Sequence, residues 1–271
     1  MSYSLNWKAL SSKLNKQSSK KSLQNGIKKK KSPKTQHKDH DIAASTKITS
    51  AISKSNDVKV IDHEILSPLE AALWSKENEI TAGDIPRTPQ AIKISNNSKH
   101  QRKKGPGKYL SMDCEFVGVG PEGKESALAR VSIVNFYGVV ILDTFVKPSE
   151  KVTDWRTWVS GVSPFNMKDA ITFQEAQKKV ADLLKDKILV GHSVNHDLEA
   201  LFLSHPKFKI RDTSKYGRFK EVSKGKAPGL QMLSERFLNV TIQTGAHSSV
   251  EDARATMVLF RMVKKDFEKS F

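Results

Sequence analysis

Three apolar runs of strand length follow one another between Tyr109 and Val146, and only after them do strands alternate with helices. Tyr109 to Val117, Leu128 to Asn135 (LARVSIVN) and Val139 to Val146 (VVILDTFV) read as strands, the last two joined by Phe136-Tyr137-Gly138 as a hairpin turn. Helical patterns follow around Phe165–Ala170 and Thr172–Leu184. Ile188-Leu189-Val190 is then a short buried strand ending at Gly191, before helices from about Asn195 to Leu203 and over Leu230–Leu238. The final helix, Ser248 to about Phe267, carries Val250, Ala253, Met257, Phe260, Val263 and Phe267 on one face. Hairpins first and strand–helix alternation later predict an α/β fold, a mixed sheet flanked by helices.

Upstream the chemistry changes. Residues 1–108 hold 22 Lys+Arg against 9 Asp+Glu, and residues 109–271 hold 24 against 20, so most of the +17 excess precedes the apolar-rich part. A segment so charged buries too little apolar surface to offset the entropy of ordering it. Residues 1–104 are therefore expected to be a disordered Lys-rich tail with a short helical segment near 66–80, where Ser67-Pro68 makes a cap and first turn for Leu69, Ala72, Leu73 and Trp74. Gly105-Pro106-Gly107 marks the expected boundary of a domain at 105–271. The blocks Lys28–Lys31 and Arg102-Lys103-Lys104 suit a polyanion tether or a nuclear-import signal, and otherwise act as solubilising charge. Cys114 is the single cysteine, which excludes an intramolecular disulfide framework and fits a reducing compartment. No apolar run approaches the roughly 18–20 residues of a membrane span.

Three groups of residues carry chemistry. In Ser111-Met112-Asp113-Cys114-Glu115-Phe116, strand alternation puts Asp113 and Glu115 on one face and Met112, Cys114 and Phe116 on the other. Two acids on one face of a central strand repel and are costly to bury without a divalent cation. In Gly191-His192-Ser193-Val194-Asn195-His196-Asp197, the acid falls in the first turn of a helix, where the helix dipole alone also accounts for it. In His247-Ser248-Ser249-Val250-Glu251-Asp252, a serine with Glu251 or Asp252 can form a capping box, but that leaves the histidine ahead of the cap unexplained.

Together these groups resemble the DEDDh family of 3′–5′ exonucleases: Asp113 and Glu115 in the first motif, Asp197 in the second, His247 and Asp252 at H-x4-D spacing in the third. MDCEFVGVG, LARVSIVN, VTDWRTWVSGVSP, GHSVNHDLEAL, RDTSKY and HSSVEDARATM are similar to the RNA exonuclease 4 branch, close to the interferon-stimulated exonucleases, over about residues 109–264, and ALWSKENEI resembles a segment preceding that domain. The resemblance implies a ribonuclease H-like fold and two ions, Mg²⁺ or Mn²⁺, held by Asp113, Glu115, Asp197 and Asp252, with His247 taking a proton from water and nucleoside 5′-monophosphates released. It implies Phe116 and Arg156 as substrate contacts, although strand alternation turns Phe116 away from the acids unless a twist or bulge presents it. Arg156 has an equal alternative as a surface arginine paired with Asp154. By the same resemblance the partners are RNA, pre-ribosomal RNA above all, and pre-ribosomal proteins; the chain is expected as a monomer in the nucleus, in the nucleolus, away from membranes. Two rivals stand beside this reading, a DNA 3′–5′ exonuclease and an RNA-binding ribosome-assembly factor with a non-catalytic exonuclease-like domain.

Two tempting signals are discounted. Gly118-Val119-Gly120-Pro121-Glu122-Gly123 fits a dinucleotide-binding pattern, but Pro121 and Gly123 lead into another strand rather than a helix, which predicts a hairpin loop. His192 and His196 are spaced like half a zinc motif without the glutamate or further cysteines that would complete it.

Overall fold

The computed structural model describes residues 63–93 and 97–269. Strand β1 (His63–Leu66), helix α1 (Pro68–Ser75), β2 (Gln90–Lys93) and α2 (Ser98–Lys104) precede the main sheet. There follow β3 (Tyr109–Val119), β4 (Glu125–Asn135), β5 (Val140–Lys147), β6 (Val152–Asp154), α3 (Thr157–Ser160), β7 (Ile171–Thr172) and α4 (Phe173–Leu184). The remainder is β8 (Ile188–Gly191), α5 (Asn195–Ala200), β9 (Ile210–Asp212), α6 (Gly217–Glu221), α7 (Leu230–Leu233) and the long α8 (Ser249–Glu268). Among these described helices, none is long and apolar enough to cross a membrane.

The mixed sheet runs β7-β5-β4-β3-β8-β9, with β6 also paired to β3. β3 and β4 are antiparallel from Leu110↔Asn135 to Val119↔Glu125. β8 lies parallel to only the first part of β3, its last pair being Ser111↔Val190. The sheet therefore opens beside Asp113, where β8 ends and the chain turns toward α5. Such an opening at the carboxyl end of a parallel strand is where sites form in α/β sheets.

Alternation along β3 builds two cores. Leu110, Met112 and Cys114 join Ala176, Val180 and Leu184 of α4 and Leu198 of α5 on one face. On the other, Val190 meets Met257, Phe260 and Val263 of α8, with Leu69 and Leu73 of α1 outside them. The result is a helix–sheet–helix sandwich whose second helical layer includes α8.

The expectation of a disordered tail through residue 104 is corrected where the structure describes it. Residues 63–93 and 97–104 are folded, and α1 is the helix expected near 66–80: the Ser67 hydroxyl caps the Glu70 N–H at 3.3 Å, and Leu69, Ala71, Ala72, Leu73 and Trp74 are buried. The reason lies far along the chain. Arg261 of α8 is 0% exposed, and its guanidinium donates to the carbonyls of Leu73, Lys76, Asn78 and Phe136 at 2.7–3.1 Å. Arg254 reaches Glu70 at 2.7 Å and the Gly138 carbonyl at 2.9 Å. Arg261 thus takes the Leu73 carbonyl that the helix itself leaves over, with those of Lys76 and Asn78 just beyond its end, while Arg254 holds Glu70 in its first turn. Lys103, read as part of a basic block, is buried: its ammonium donates to the Trp74 carbonyl at 2.7 Å, pairs with Glu77 at 3.0 Å and lies over Trp74 and Tyr137. The block Lys28–Lys31 lies outside the described residues.

Two helix expectations also shift. Phe165–Ala170 holds only a 3-10 turn, Pro164–Lys168, and the helix over Leu230–Leu238 is α-helical only through α7, then widens into a π turn that stops at left-handed Asn239 (φ 55). The glycine-rich stretch is the β3–β4 hairpin loop. Gly123 (φ +65) is required there because a Cβ would stand 2.6 Å from the Asp154 Cβ.

Candidate active site

Asp113, Glu115 and Asp252 each offer a carboxylate oxygen, and these oxygens all lie within 4.8 Å of one another. β3 presents the first two on the face toward α8, whose first turn supplies the third. Asp252 does not complete a capping box. The Ser248 side chain makes no cap bond, and the Ser249 hydroxyl turns aside to Ser132 at 2.6 Å. Glu115 instead accepts the Ser249 N–H. A carboxylate from the neighbouring strand does the work of the missing cap, and Asp252 remains turned into the cluster.

Asp197 completes the acids from the opposite side of β3. It is 7% exposed, lies in the first turn of α5 and accepts hydrogen bonds from the thiol and backbone N–H of Cys114. Its charge raises both Asp113 and Glu115. It stands outside the three-carboxylate group but within its electrostatic reach.

Burial, then mutual repulsion, dominates the electrostatics. Desolvation first, and the charges of Asp197, Asp252 and Glu115 after it, hold Asp113 well above the usual carboxylate range. Glu115 is pushed up to about 8 by burial and by Asp252, against the opposing pull of Arg130. Burial lifts Asp197 to about 7 and Asp252 to about 6. A polypeptide that packs four acids so closely without a cation carries a standing electrostatic cost. Glu115 Oε1 and Asp252 Oδ1 are buried with no hydrogen-bond partner. Unpartnered carboxylate oxygens converging at this spacing fit a divalent ion, and an all-oxygen donor set favours Mg²⁺ or Mn²⁺.

His247 is half-buried beside the cluster, its Nδ1 3.9 Å from Asp252 Oδ2. Its backbone N–H donates to the Val159 carbonyl of α3 at 2.6 Å, so the turn after β6 fixes the segment that carries it. Partial burial lowers its pKa, favouring the neutral ring near neutral pH.

The four acids and the histidine are thus gathered at one end of the sheet; the two expected substrate contacts are placed differently. Phe116 is half-buried against the α4–α5 core, although the strand does have a bulge, between Glu115 and Phe116. The Arg156 guanidinium donates to the Gly123 carbonyl at 2.7 Å and Ser126 Oγ at 2.9 Å, while its backbone N–H, not its side chain, meets Asp154. Neither lines the pocket of about 360 Å³ above the acids, whose walls are Asp113, Glu115, His192, Ser193, Ala227–Leu230, Gln243, His247 and Asp252. A larger groove of about 620 Å³ between Tyr109, Phe136, Tyr137 and Lys264 contains none of the clustered acids; converging carboxylates, not volume, mark the site.

Sequence reasoning missed two supporting residues. Gln243, left-handed at φ 59, donates to Asp252 Oδ2 at 2.8 Å and leaves Oδ1 for the cluster. Asp212, at the end of β9, accepts the Ser193 N–H at 2.8 Å and the Ser214 N–H and hydroxyl, holding the turn that leads to Asp197. The RDTSKY motif contained Asp212, while nothing in the sequence singles out Gln243.

Residues 110–260, which include all five site residues, match the exonuclease family RNase_T. The chain is 57% identical to RNA exonuclease 4 of Debaryomyces hansenii over 267 residues, covering 98% of this chain and 94% of that protein. It is 48% identical to RNA exonuclease 4 of Saccharomyces cerevisiae over 285 residues, 99% and 98% of the two chains. Among solved structures it resembles the Saccharomyces cerevisiae Pan2 pseudoubiquitin hydrolase–RNA exonuclease module in complex with AAGGAA RNA, with 28% identity and a TM-score of 0.52. That likeness covers 63% of this chain and 32% of the other, so the chain spans about a third of the Pan2 module. The Neurospora crassa Pan2 catalytic unit, 22% identical with a TM-score of 0.54 over 74% of this chain and 32% of that one, shares the fold.

Proposed function

The chain belongs to the RNase_T exonuclease family, with relatives named RNA exonuclease 4, and from that premise we propose that it is a metal-dependent 3′–5′ exoribonuclease releasing nucleoside 5′-monophosphates. The observation that carries the chemistry is the convergence of Asp113, Glu115 and Asp252 with two buried carboxylate oxygens lacking partners. The 3′–5′ direction rests on the DEDDh resemblance.

Asp113, Glu115 and Asp252 would hold one ion, and Asp113 with Asp197 a second. Bound there, Mg²⁺ or Mn²⁺ supplies positive charge to a phosphodiester that gains negative charge as water attacks. The protein's own parts are positional. Gln243 fixes which oxygen of Asp252 faces the cluster, and Cys114 and Asp212 steady Asp197 and the turn before it. His247, its Nδ1 toward Asp252, would receive the water proton at Nε2. Arg156 and Phe116 keep the proposed role of contacts to the terminal nucleotide. For Arg156, that means giving up one of its bonds to the β3–β4 loop.

Maturation of ribosomal RNA in the nucleus, within the nucleolus and beside pre-ribosomal proteins, is the setting we propose, from the resemblance and from the basic block Lys28–Lys31. The working form is taken to be a monomer. A time course on RNA labelled at the 5′ or the 3′ end, with Mg²⁺, with Mn²⁺ and with EDTA, tests the chemistry. The expected result is immediate release of 3′ label as mononucleotide, progressive shortening of the 5′-labelled strand, silence in EDTA, and loss of several orders of magnitude in D252N. Internal cleavage, release from the 5′ end or activity surviving EDTA would overturn the reading, and matched DNA run alongside separates the deoxyribonuclease alternative.

A further inference from the structure

Ala227, Pro228 and Gly229 form one wall of the carboxylate pocket. The chain reaches that wall through a tightly bonded turn. The Ser223 hydroxyl sits between the Lys220 and Lys226 carbonyls, and the Gly225 N–H donates to the Lys220 carbonyl at 2.8 Å. Lys224 (φ 55) and Gly225 (φ 84) are both left-handed. Lys224 and Lys226 are exposed. Lys215, earlier in the same stretch, is paired with Asp212 at 3.3 Å, whereas no carboxylate lies at ion-pair distance from Lys224 or Lys226 among the described residues.

His192 ties this turn to the sheet. It follows the last residue of β8, and its Nε2 lies 2.8 Å from the Pro228 carbonyl and its Nδ1 2.9 Å from Thr213 Oγ1. A carbonyl only accepts, so Nε2 carries the hydrogen toward Pro228, while Nδ1 faces Thr213 Oγ1, whose hydroxyl also donates to the Gly191 carbonyl at 3.0 Å. The wall is fixed relative to the acids before any substrate arrives.

Two exposed cations without a carboxylate partner, on the turn that runs directly into the Ala227–Gly229 wall of a pocket lined by acids, are an arrangement with a purpose in strand binding. Ions among the acids serve the phosphate being cut, while the next phosphates along a single strand lie outside and meet a net-negative mouth. Fixed lysine charges counter that repulsion without reading sequence. We propose that Lys224 and Lys226 contact the phosphodiester backbone of the RNA strand whose 3′ end occupies the pocket, with His192 as the positioning residue that latches their turn; this rests on the exoribonuclease reading above.

The test uses the full chain and a labelled single-stranded RNA of about 20 nucleotides. Steady-state kinetics should show KM raised roughly tenfold or more in K224E/K226E, with the loss falling on KM rather than kcat, and a smaller loss on a dinucleotide. The slope of log KM against log salt should flatten by roughly 1.4, about 0.7 for each phosphate contact on a single strand. K224R/K226R should retain both. H192L should raise KM and flatten the salt slope part of the way toward K224E/K226E, and H192Q, whose amide can donate to the Pro228 carbonyl, should recover both. Wild-type digestion of RNA with KM and salt slope unaltered in K224E/K226E would overturn the proposal. Should the wild type degrade no RNA at all, the exoribonuclease reading fails instead. Anisotropy titration of the same RNA against K224E/K226E then still decides the lysines' role, equal affinity refuting it.

Discussion

Replacing Glu115 with glutamine should make the metal-free protein more stable while removing an acid of the site. Glu115 is 5% exposed, and its pKa moves from 4.5 to about 8, chiefly through burial and then through Asp252. Between those values the folded chain retains a proton that the unfolded chain has released, so stability falls as pH rises from about 4.5 to about 8. At ~1.4 kcal/mol per pH unit the ceiling on that fall is about 5 kcal/mol. The pocket mouth admits water, and a higher effective dielectric there brings the expected gain to roughly 2–3 kcal/mol, or about 4–12 °C in Tm. Glutamine keeps an oxygen for the Ser249 N–H and has an amide to offer the neighbouring acids, so the exchange costs little packing. Thermal and urea unfolding in EDTA, at pH 8 and again at pH 4.5, gives the answer. E115Q should exceed the wild type at pH 8, converge with it near pH 4.5, and gain less than the wild type when Mn²⁺ is added. Equal or lower stability of E115Q at pH 8, or a gap that does not close on acidification, would refute the account of buried, mutually repelling carboxylates.

Other outcomes follow from the same geometry. R261M should lose ~3–6 kcal/mol, since two or three of the buried carbonyls it serves are left without a donor at ~1–3 kcal/mol each, and urea unfolding measures it. Removing residues 1–62 should leave the thermal midpoint of the chain in place, whereas removing residues 1–104 should leave the apolar side of α8 uncovered and the product aggregated, a contrast read by size-exclusion chromatography. Q243A should raise the Mg²⁺ or Mn²⁺ concentration giving half-maximal activity by ~10–100-fold with its melting temperature little altered, because an outer partner that orients a ligand is lost.

The alternation of SMDCEF was enough to place Asp113 and Glu115 on one face, since strand geometry leaves no other choice. The H-x4-D spacing likewise located Asp252, and the capping box that the sequence also allowed does not form: Ser249 spends its hydroxyl on Ser132 and its N–H on Glu115, both distant in sequence. The same blindness to distance misjudged residues 63–104. They were grouped with the Lys-rich stretch that precedes them, because the partners that order them, Arg254 and Arg261, lie 150 or more residues later. Lys103 shows the limit most sharply, since a lysine in a basic block looks solvated whether or not an aromatic slot and a carbonyl await it. Gln243 carried no local mark at all; its role exists only where left-handed backbone meets Asp252.

The clasp of Arg254 and Arg261 has a bearing on how the protein comes into being. A chain is made from its amino end, so the strand at 63–66 and the helix after it emerge from the ribosome long before the arginines that secure them. Those arginines share a helix with Asp252. The step that locks the earliest described segment in place is therefore the step that brings in the last carboxylate, and a nascent chain holding the other acids remains without its full set until synthesis is nearly over.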